Sequence, residues 1–389
     1  MARRRRGNRG VGATVSQARE ERVGFRIGVL VGETRPVGPW SQPGRAGIVT
    51  PAVARRRLVP VTSPATPPPV PRSWALVQWV VLLATLAFAA TILWRPEPSM
   101  SLFWNVVLPL LPLSFLATPV LWRAVCPLAT LNMLGNRPGG RRLPGQVSRW
   151  AGLPSMLTLA LLVPMRHLAF NTHPLALAGL VVASGVAAVA LGIRYDARAG
   201  FCNLVCPVLP VERLYGQHPV SDLGNPRCAS CSVCTPRGCP DLALDKALPQ
   251  LMGPARKGPA WLLTATGGFA CAFPGFIIAY FTVPEAWRGS APAVYGWIGG
   301  GLLLSLWLGV ATLGALRVRS TVALPVLGAL SAGAYFWFAV RGTLATLGVA
   351  SPVALAAGRA TLLAVVAWWL VRALREPGGA MAPVPVRRR

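Results

Sequence analysis

The strongest constraint in this chain is a series of apolar segments, each long enough to cross the hydrocarbon core of a bilayer, about 30 Å thick. They fall at about 74–94, 101–122, 151–170, 175–193, 259–283, 291–316, 321–340 and 352–373, which predicts eight transmembrane helices. Inside lipid no water satisfies a backbone amide, so each segment must bond its own N–H and C=O groups, and a helix does that within one segment. Pro109, Pro112, Pro119 and Pro274 fall inside these segments and predict kinks. Only 13% of residues are charged and the mean hydropathy is +0.51, whereas a soluble domain carries about 25% charged residues. The expected fold class is therefore an all-α polytopic membrane protein.

The net charge of +28 is almost entirely arginine, with Lys246 and Lys257 the only lysines, and no nucleic-acid partner is expected from it. Its distribution is more informative, because basic residues stay on the cytoplasmic side of a membrane. One set of connections holds the N-terminal tail, Arg123, Arg137, Arg141, Arg142 and Arg149, the 194–258 loop, Arg317, Arg319 and the C-terminal arginines. The other set holds only Arg95, Arg288 and Arg341. Both termini and the 194–258 loop are thus expected on the cytoplasmic face of the inner membrane. The tryptophans at 74, 94, 122 and 150 lie near segment ends, as interfacial anchors do.

Five regions follow. Residues 1–72 are rich in Arg, Pro and Gly with no apolar period, and read as a disordered basic tail or an over-extended start. Residues 73–193 form two helical hairpins, 194–258 a cytoplasmic loop module, 259–374 four more helices, and 375–389 a basic tail. No short apolar signal segment follows the initial MARRRR. The two hairpins also form a repeat. The first ends in WRAVCPLATLNMLG (122–135) and the second in CNLVCPVLPVERLYG (202–216), each delivering a Val-Cys-Pro to the same side.

Seven of the eight cysteines, Cys126, Cys202, Cys206, Cys228, Cys231, Cys234 and Cys239, lie at or beyond the cytoplasmic ends of helices. A reducing compartment disfavours disulfides, so cysteines at this density point to metal. Structural zinc takes two separate Cys-x2-Cys knuckles. Here Cys228, Cys231 and Cys234 form overlapping knuckles that share Cys231, and Cys239-Pro240 follows. That spacing is close to the bacterial ferredoxin run, in which three cysteines each bind one iron of a cluster and a Cys-Pro supplies a fourth thiolate. The expected cofactor is a 4Fe-4S cluster. Cys239 closes that cluster itself, or Cys206 does and leaves Cys239, Cys202 and Cys126 to a second site one cysteine short. A non-cysteine ligand, a three-iron cluster or no second cluster are the further alternatives. Cys271, roughly 18 Å of helical rise into its segment, reads as a small hydrophobe in a helix interface.

On these motifs the chain resembles the membrane-bound polyferredoxins of the NapH/NosR type, accessory iron–sulfur proteins of nitrate and nitrous-oxide respiration. In that family helical hairpins carry Cys-x3-Cys-Pro motifs followed by ferredoxin motifs. Cys202-x3-Cys206-Pro207 matches fully. Cys126-Pro127 matches in half, because Trp122 stands where the first cysteine would be, and one ferredoxin-like motif follows where the family often has two. The resemblance covers roughly residues 74–258 and implies electron transfer between the membrane quinone pool and redox partner proteins. The chain would then be a component of an oxidoreductase system, not a stand-alone enzyme.

Other chemistry is thinly represented. Arg166, His167, His173 and Arg359 lie near the ends of segments away from the cysteines, where they either contact a quinone head group or reach the nearby interface. There is no P-loop, no dinucleotide-binding fingerprint and no Ser/His/Asp constellation. Asp196, Glu212, Asp222, Asp241 and Asp245 read as offsets to the loop arginines. Two competing functions remain: a membrane redox or oxygen sensor with a labile cluster, and a zinc-stabilised membrane scaffold.

Overall fold

The computed structural model describes residues 72–135, 140–141, 143, 152–195, 200–221, 247–248 and 259–375. The expected N-terminal tail, the segment from Cys228 to Cys239 and the C-terminal tail lie outside the described residues. Among those described, regular structure is all helical, with no strand and one isolated bridge between Arg141 and Tyr195.

Helix α1 (Arg72–Trp94) is followed by a continuous helical run built of α2 (Pro96–Leu102), a π turn (Phe103–Val107) and α3 (Leu108–Ala117). The short helices α4 (Pro119–Val125) and α5 (Pro127–Leu134) come next. Then come α6 (Gly152–Leu162) with a 3-10 turn (Pro164–His167), α7 (Pro174–Arg194), a second π turn (Phe201–Val205) and α8 (Leu209–Tyr215). The C-terminal half holds α9 (Ala265–Phe281), α10 (Ala291–Ala315), α11 (Ser320–Thr346) and α12 (Pro352–Arg375).

Six of these are long and apolar enough to cross a membrane: α1, the Pro96–Ala117 run, α7, α10, α11 and α12. Their outward faces are apolar, with Leu83 60%, Leu303 63% and Trp307 67% exposed, which suits lipid and not water. The chain is a multi-pass helical membrane protein.

Sequence periodicity predicted eight full-length segments, and two are shorter than expected. Residues 151–170 give α6, eleven residues long, and a 3-10 turn. Residues 259–283 give the seventeen-residue α9 after a 3-10 turn at Pro259–Leu263. Both are held by neighbouring segments at each of their ends. Gly152 starts α6 beside the Arg213 guanidinium, and Leu161 at its far end accepts a 2.6 Å hydrogen bond from the Tyr295 hydroxyl. Trp261 before α9 donates from Nε1 to the Val318 carbonyl at the α10–α11 turn, while Tyr280 at its other end meets Arg166.

The prolines act in two ways. Pro109 has no N–H for the Asn105 carbonyl one turn back, so the ladder shifts to the wider π register over Phe103–Val107, and Thr343 Oγ1 donates to that carbonyl instead. Pro119 excludes the helical conformation at the preceding residue, and Thr118 is extended (φ −162°, ψ 93°). The expected 101–122 segment therefore begins earlier, at Pro96, and ends at Ala117. Pro112 and Pro274 sit inside α3 and α9 without ending either helix.

Packing centres on α11, which carries Leu324 and Ala332 with no exposure and contacts α3, α8, α9 and α12. Trp369 from α12 and Tyr215 from α8 are enclosed in the same core. Between lipid-exposed helices there is little hydrophobic drive, so close backbone approach decides packing. Helices α9 and α10 achieve it at Gly275 and Gly301, where a Cβ on Gly275 would collide with the Gly301 carbonyl. One turn away, Cys271 is buried against Gly309.

Gly275→Leu should therefore cost about 1–3 kcal/mol by overpacking. Gly299→Leu, at a position with nothing within 4 Å, should leave stability unchanged. Thermal unfolding in detergent measures both, and equal effects would contradict this packing.

Candidate thiol site at one end of the bundle

The two Val-Cys-Pro turns have the same backbone. Proline at 127 and at 207 forces the residue before it out of the helical region, and Cys126 (φ −55°, ψ 122°) and Cys206 (φ −61°, ψ 113°) both adopt the resulting extended form. Each cysteine ends one helical turn and precedes another, α5 in the first repeat and α8 in the second. The sequence repeat thus extends to the backbone conformation of the two cysteines, although an α-helix leads into Cys126 and a π turn into Cys206. Cys202 lies four residues before Cys206, on the π turn that leads into it.

Cys126 and Cys202 both lie close enough to Cys206 to act on its charge, although Cys126 arises from a different hairpin. Burial pushes the Cys206 thiol well above the usual range, and the neighbouring Cys202 and Cys126 sulfurs raise it further. The backbone N–H groups of Val208 and Leu209 donate to this sulfur and favour its thiolate. All three cysteines are partly buried. Among the described residues no group of three or more His, Cys, Asp or Glu converges to hold a metal ion. Cys228, Cys231, Cys234 and Cys239 lie outside the described residues.

Beneath the thiols is a polar network that the sequence reading did not anticipate. Arg123, one turn before Cys126, forms an ion pair with Glu212 of α8, and the two residues are only 7% and 4% exposed. The neighbouring Arg213, 3% exposed, donates a 2.9 Å hydrogen bond from Nη2 to Asn203 Oδ1, beside Cys202. Burial lowers Arg213 to about 10, while Glu212 and the Cys206 and Cys202 sulfurs support its charge against Arg123. It stays cationic at neutral pH. Its Nε has no hydrogen-bond partner among the described residues, and a cavity of about 10 Å³ lined by Arg213, Gln217 and Phe269 has room for one water there.

Glu212 thus pairs with Arg123 of the first repeat and also supports the charge of Arg213, an arginine of the 194–258 loop of the kind the sequence predicts it to offset. A signal was available in the repeat alignment. Three residues before each Cys-Pro stand Arg123 and Asn203, and six after stand Asn132 and Glu212, all polar and all buried. Asn132 ties α5 to α7 through a 2.8 Å bond from Nδ2 to the Ala188 carbonyl. The second repeat also caps the first. Val220 and Ser221 N–H groups donate to the Leu116 and Ala117 carbonyls that end α3, which lack helical partners once Thr118 breaks away.

The residues considered for a quinone head group lie at the opposite end. Arg166 donates to Tyr280 Oη and Asn105 Oδ1, both at 3.2 Å, and lies 4.9 Å above the Trp104 ring. His167 Nε2 is 3.0 Å from the Tyr280 carbonyl oxygen. Arg359 donates from Nε to the Trp337 carbonyl and covers that ring, and His173 precedes the first turn of α7. The arginines and His167 are interhelix ties. Along α11 the Arg166 group, bound through Asn105 to Thr346, stands about 27 Å of helical rise from Gly328, which packs on α8.

Comparison with protein-family models, with curated proteins and with solved structures returns no match to this chain.

Removing one member of a buried ion pair strands the other, at a cost of about 3–5 kcal/mol. Glu212→Gln should lose stability on that scale in detergent unfolding, and adding Arg123→Met should recover most of it. A double variant as unstable as the single one would contradict the pairing.

Proposed function

We propose that the chain is a membrane-bound iron–sulfur protein that relays single electrons between the membrane quinone pool and redox partner proteins. The observation that carries this reading is the presence of Cys126, Cys202 and Cys206 at one end of the bundle, close enough for the first two to act on the charge of the third, on two repeated Cys-Pro turns beside buried arginines. The sequence spacing favours a cluster over zinc: Cys228, Cys231 and Cys234 form overlapping knuckles followed by Cys239-Pro240, which suits a cluster that takes each thiolate on a separate iron.

When bound, such a cluster supplies one-electron chemistry without large rearrangement. The chain's own residues do the rest. Val208 and Leu209 N–H groups stabilise a thiolate at Cys206, Arg213 and Arg123 supply positive charge, and the apolar bundle limits water on one side. In this reading Cys228, Cys231, Cys234 and Cys239 hold a 4Fe-4S cluster in the 194–258 module. The remaining three cysteines are the candidates to complete it or to hold a second. Helices α6 and α9 provide the seventh and eighth crossings, shortened because they pass through the bundle. The thiol end and both termini face the cytoplasm of the inner membrane, as the arginine distribution requires. A quinone would then deliver or take electrons near the thiol end, since the Arg166 group is too distant for direct transfer.

Anaerobically purified protein should be brown, contain iron and acid-labile sulfide, and give a cluster signal in EPR after reduction. Reduction should be reversible with the cluster retained. Colourless protein with stoichiometric zinc would replace this function by a structural scaffold. Cluster loss in air coupled to altered partner binding would replace it by sensing.

A further inference from the structure

The Cys-Pro break at 126 strands backbone groups, and one of them is met by a side chain 46 residues earlier in the chain. We propose that Gln78 of α1 is a positioning residue for the Cys126 thiol: its amide takes up the carbonyl two residues before that cysteine and fixes the turn that carries the sulfur. This goes beyond the iron–sulfur reading and holds for the thiol whether or not it binds iron.

Backbone accounting gives the first argument. Helix α4 ends at Val125, and the last carbonyls of a helix have no partner within it. In a continuous helix the Ala124 carbonyl would accept from the N–H four residues on, but Cys126 (φ −55°, ψ 122°) turns the chain away before that bond can form. Gln78 Nε2 donates to this carbonyl instead, at 2.8 Å. On the other side of the sulfur the Cys126 carbonyl accepts from the Thr130 N–H at 3.0 Å and from the Thr130 hydroxyl at 3.1 Å. The backbone is thus held both before and after the cysteine. A cysteine side chain turns about a single torsion with a few staggered wells, so a fixed backbone leaves its sulfur few positions.

The chemistry of α1 gives the second. Between Ser73 and Thr85, Gln78 is the only residue with an amide or hydroxyl side chain. Leu76, Val80 and Leu83 are exposed on the apolar outer face of this helix, whereas Gln78 is half-buried and reaches α4. An amide without a partner is costly in hydrocarbon, and so is a bare carbonyl. Each supplies what the other lacks, and the bond forms only where α1 lies beside the Cys126 turn.

Fastening α1 to the bundle would be a different role, and a second tie separates the two. Ser99 Oγ of α2 donates to the Thr91 carbonyl and hydroxyl oxygens, both at 3.1 Å. Thr91 stands about 20 Å of helical rise from Gln78 along α1, and its bond joins α1 to α2, not to the Cys126 turn. Loss of the Ser99 tie loosens the helix; loss of the Gln78 bond frees the turn.

The test is alkylation of full-length protein in native membranes with a monofunctional maleimide, with the rate at each cysteine read from its peptide by mass spectrometry. Gln78→Met keeps the length of the side chain and removes the donor, and Gln78→Leu replaces it should that variant not fold. The rate at Cys126 should rise roughly fivefold, the factor by which loss of one ordinary hydrogen bond shifts a local opening equilibrium. Cys206 and Cys271 should keep their wild-type rates, and Ser99→Ala should leave Cys126 at its own. An unchanged Cys126 rate in Gln78→Met, including a thiol unreactive in both proteins, would overturn the inference. So would a rise shared equally by Cys206 and Cys271, or an equal rise at Cys126 in Ser99→Ala, since either would reduce Gln78 to a general fastening of α1. Iron content does not enter these readouts, so failure here and failure of the iron–sulfur reading are separate results.

Discussion

The contact between Arg123 and Glu212 is the constraint on which the cysteine end depends. A charge inside an apolar bundle is tolerated only against an opposite charge, so the pair dictates that the end of the first hairpin and the helix after the second lie together. Once they do, Cys126 is brought near Cys206, because Cys126 lies three residues after Arg123 and Cys206 six residues before Glu212. Arg213, on the same short helix, then has no choice but to face the thiols through Asn203. The ion pair therefore determines geometry and charge together.

Proline determines the local shape that makes this possible. A Cys-Pro cannot continue a helix, and the extended conformation it imposes turns a sulfur out of the ladder at the end of a membrane helix, where amides of the next turn are free to donate to it. The same physics acts at Thr118 before Pro119, and there the freed carbonyls of α3 are taken up by Val220 and Ser221 of the second repeat. At the far end of the bundle Pro109 releases the Asn105 carbonyl, and Thr343 replaces the missing donor. In each case a backbone group that lipid would leave unsatisfied is met by a neighbouring helix.

Much of this was legible in the sequence because it depends on local pattern. Uniform apolar runs gave the long helices, and the repeated Val-Cys-Pro gave the two equivalent turns. The length of α6 was not legible, because hydropathy sees apolar residues across 151–170 and does not register that Pro164 and the following turn end regular α-helix. The buried network was missed for a different reason: Arg123 and Glu212 are 89 residues apart, and only tertiary packing makes them neighbours. Their equivalence in the repeat, polar residues at matched positions in an otherwise apolar context, was the available clue. Arg166 and His167 were visible as ionisable groups in an apolar segment, but their partners Tyr280, Asn105 and Trp104 come from two other helical segments. Sequence alone cannot distinguish such a tie from a ligand site.

The central claim is that thiols from separate hairpins lie close to one another at one end of the bundle. The most direct measurement is intramolecular cross-linking in full-length protein whose only cysteines are Cys126 and Cys206, treated with a short bifunctional thiol reagent in native membranes. The account predicts a link between the two residues within one chain. Two thiols that each react with a monofunctional maleimide yet are never joined by the short reagent would contradict it.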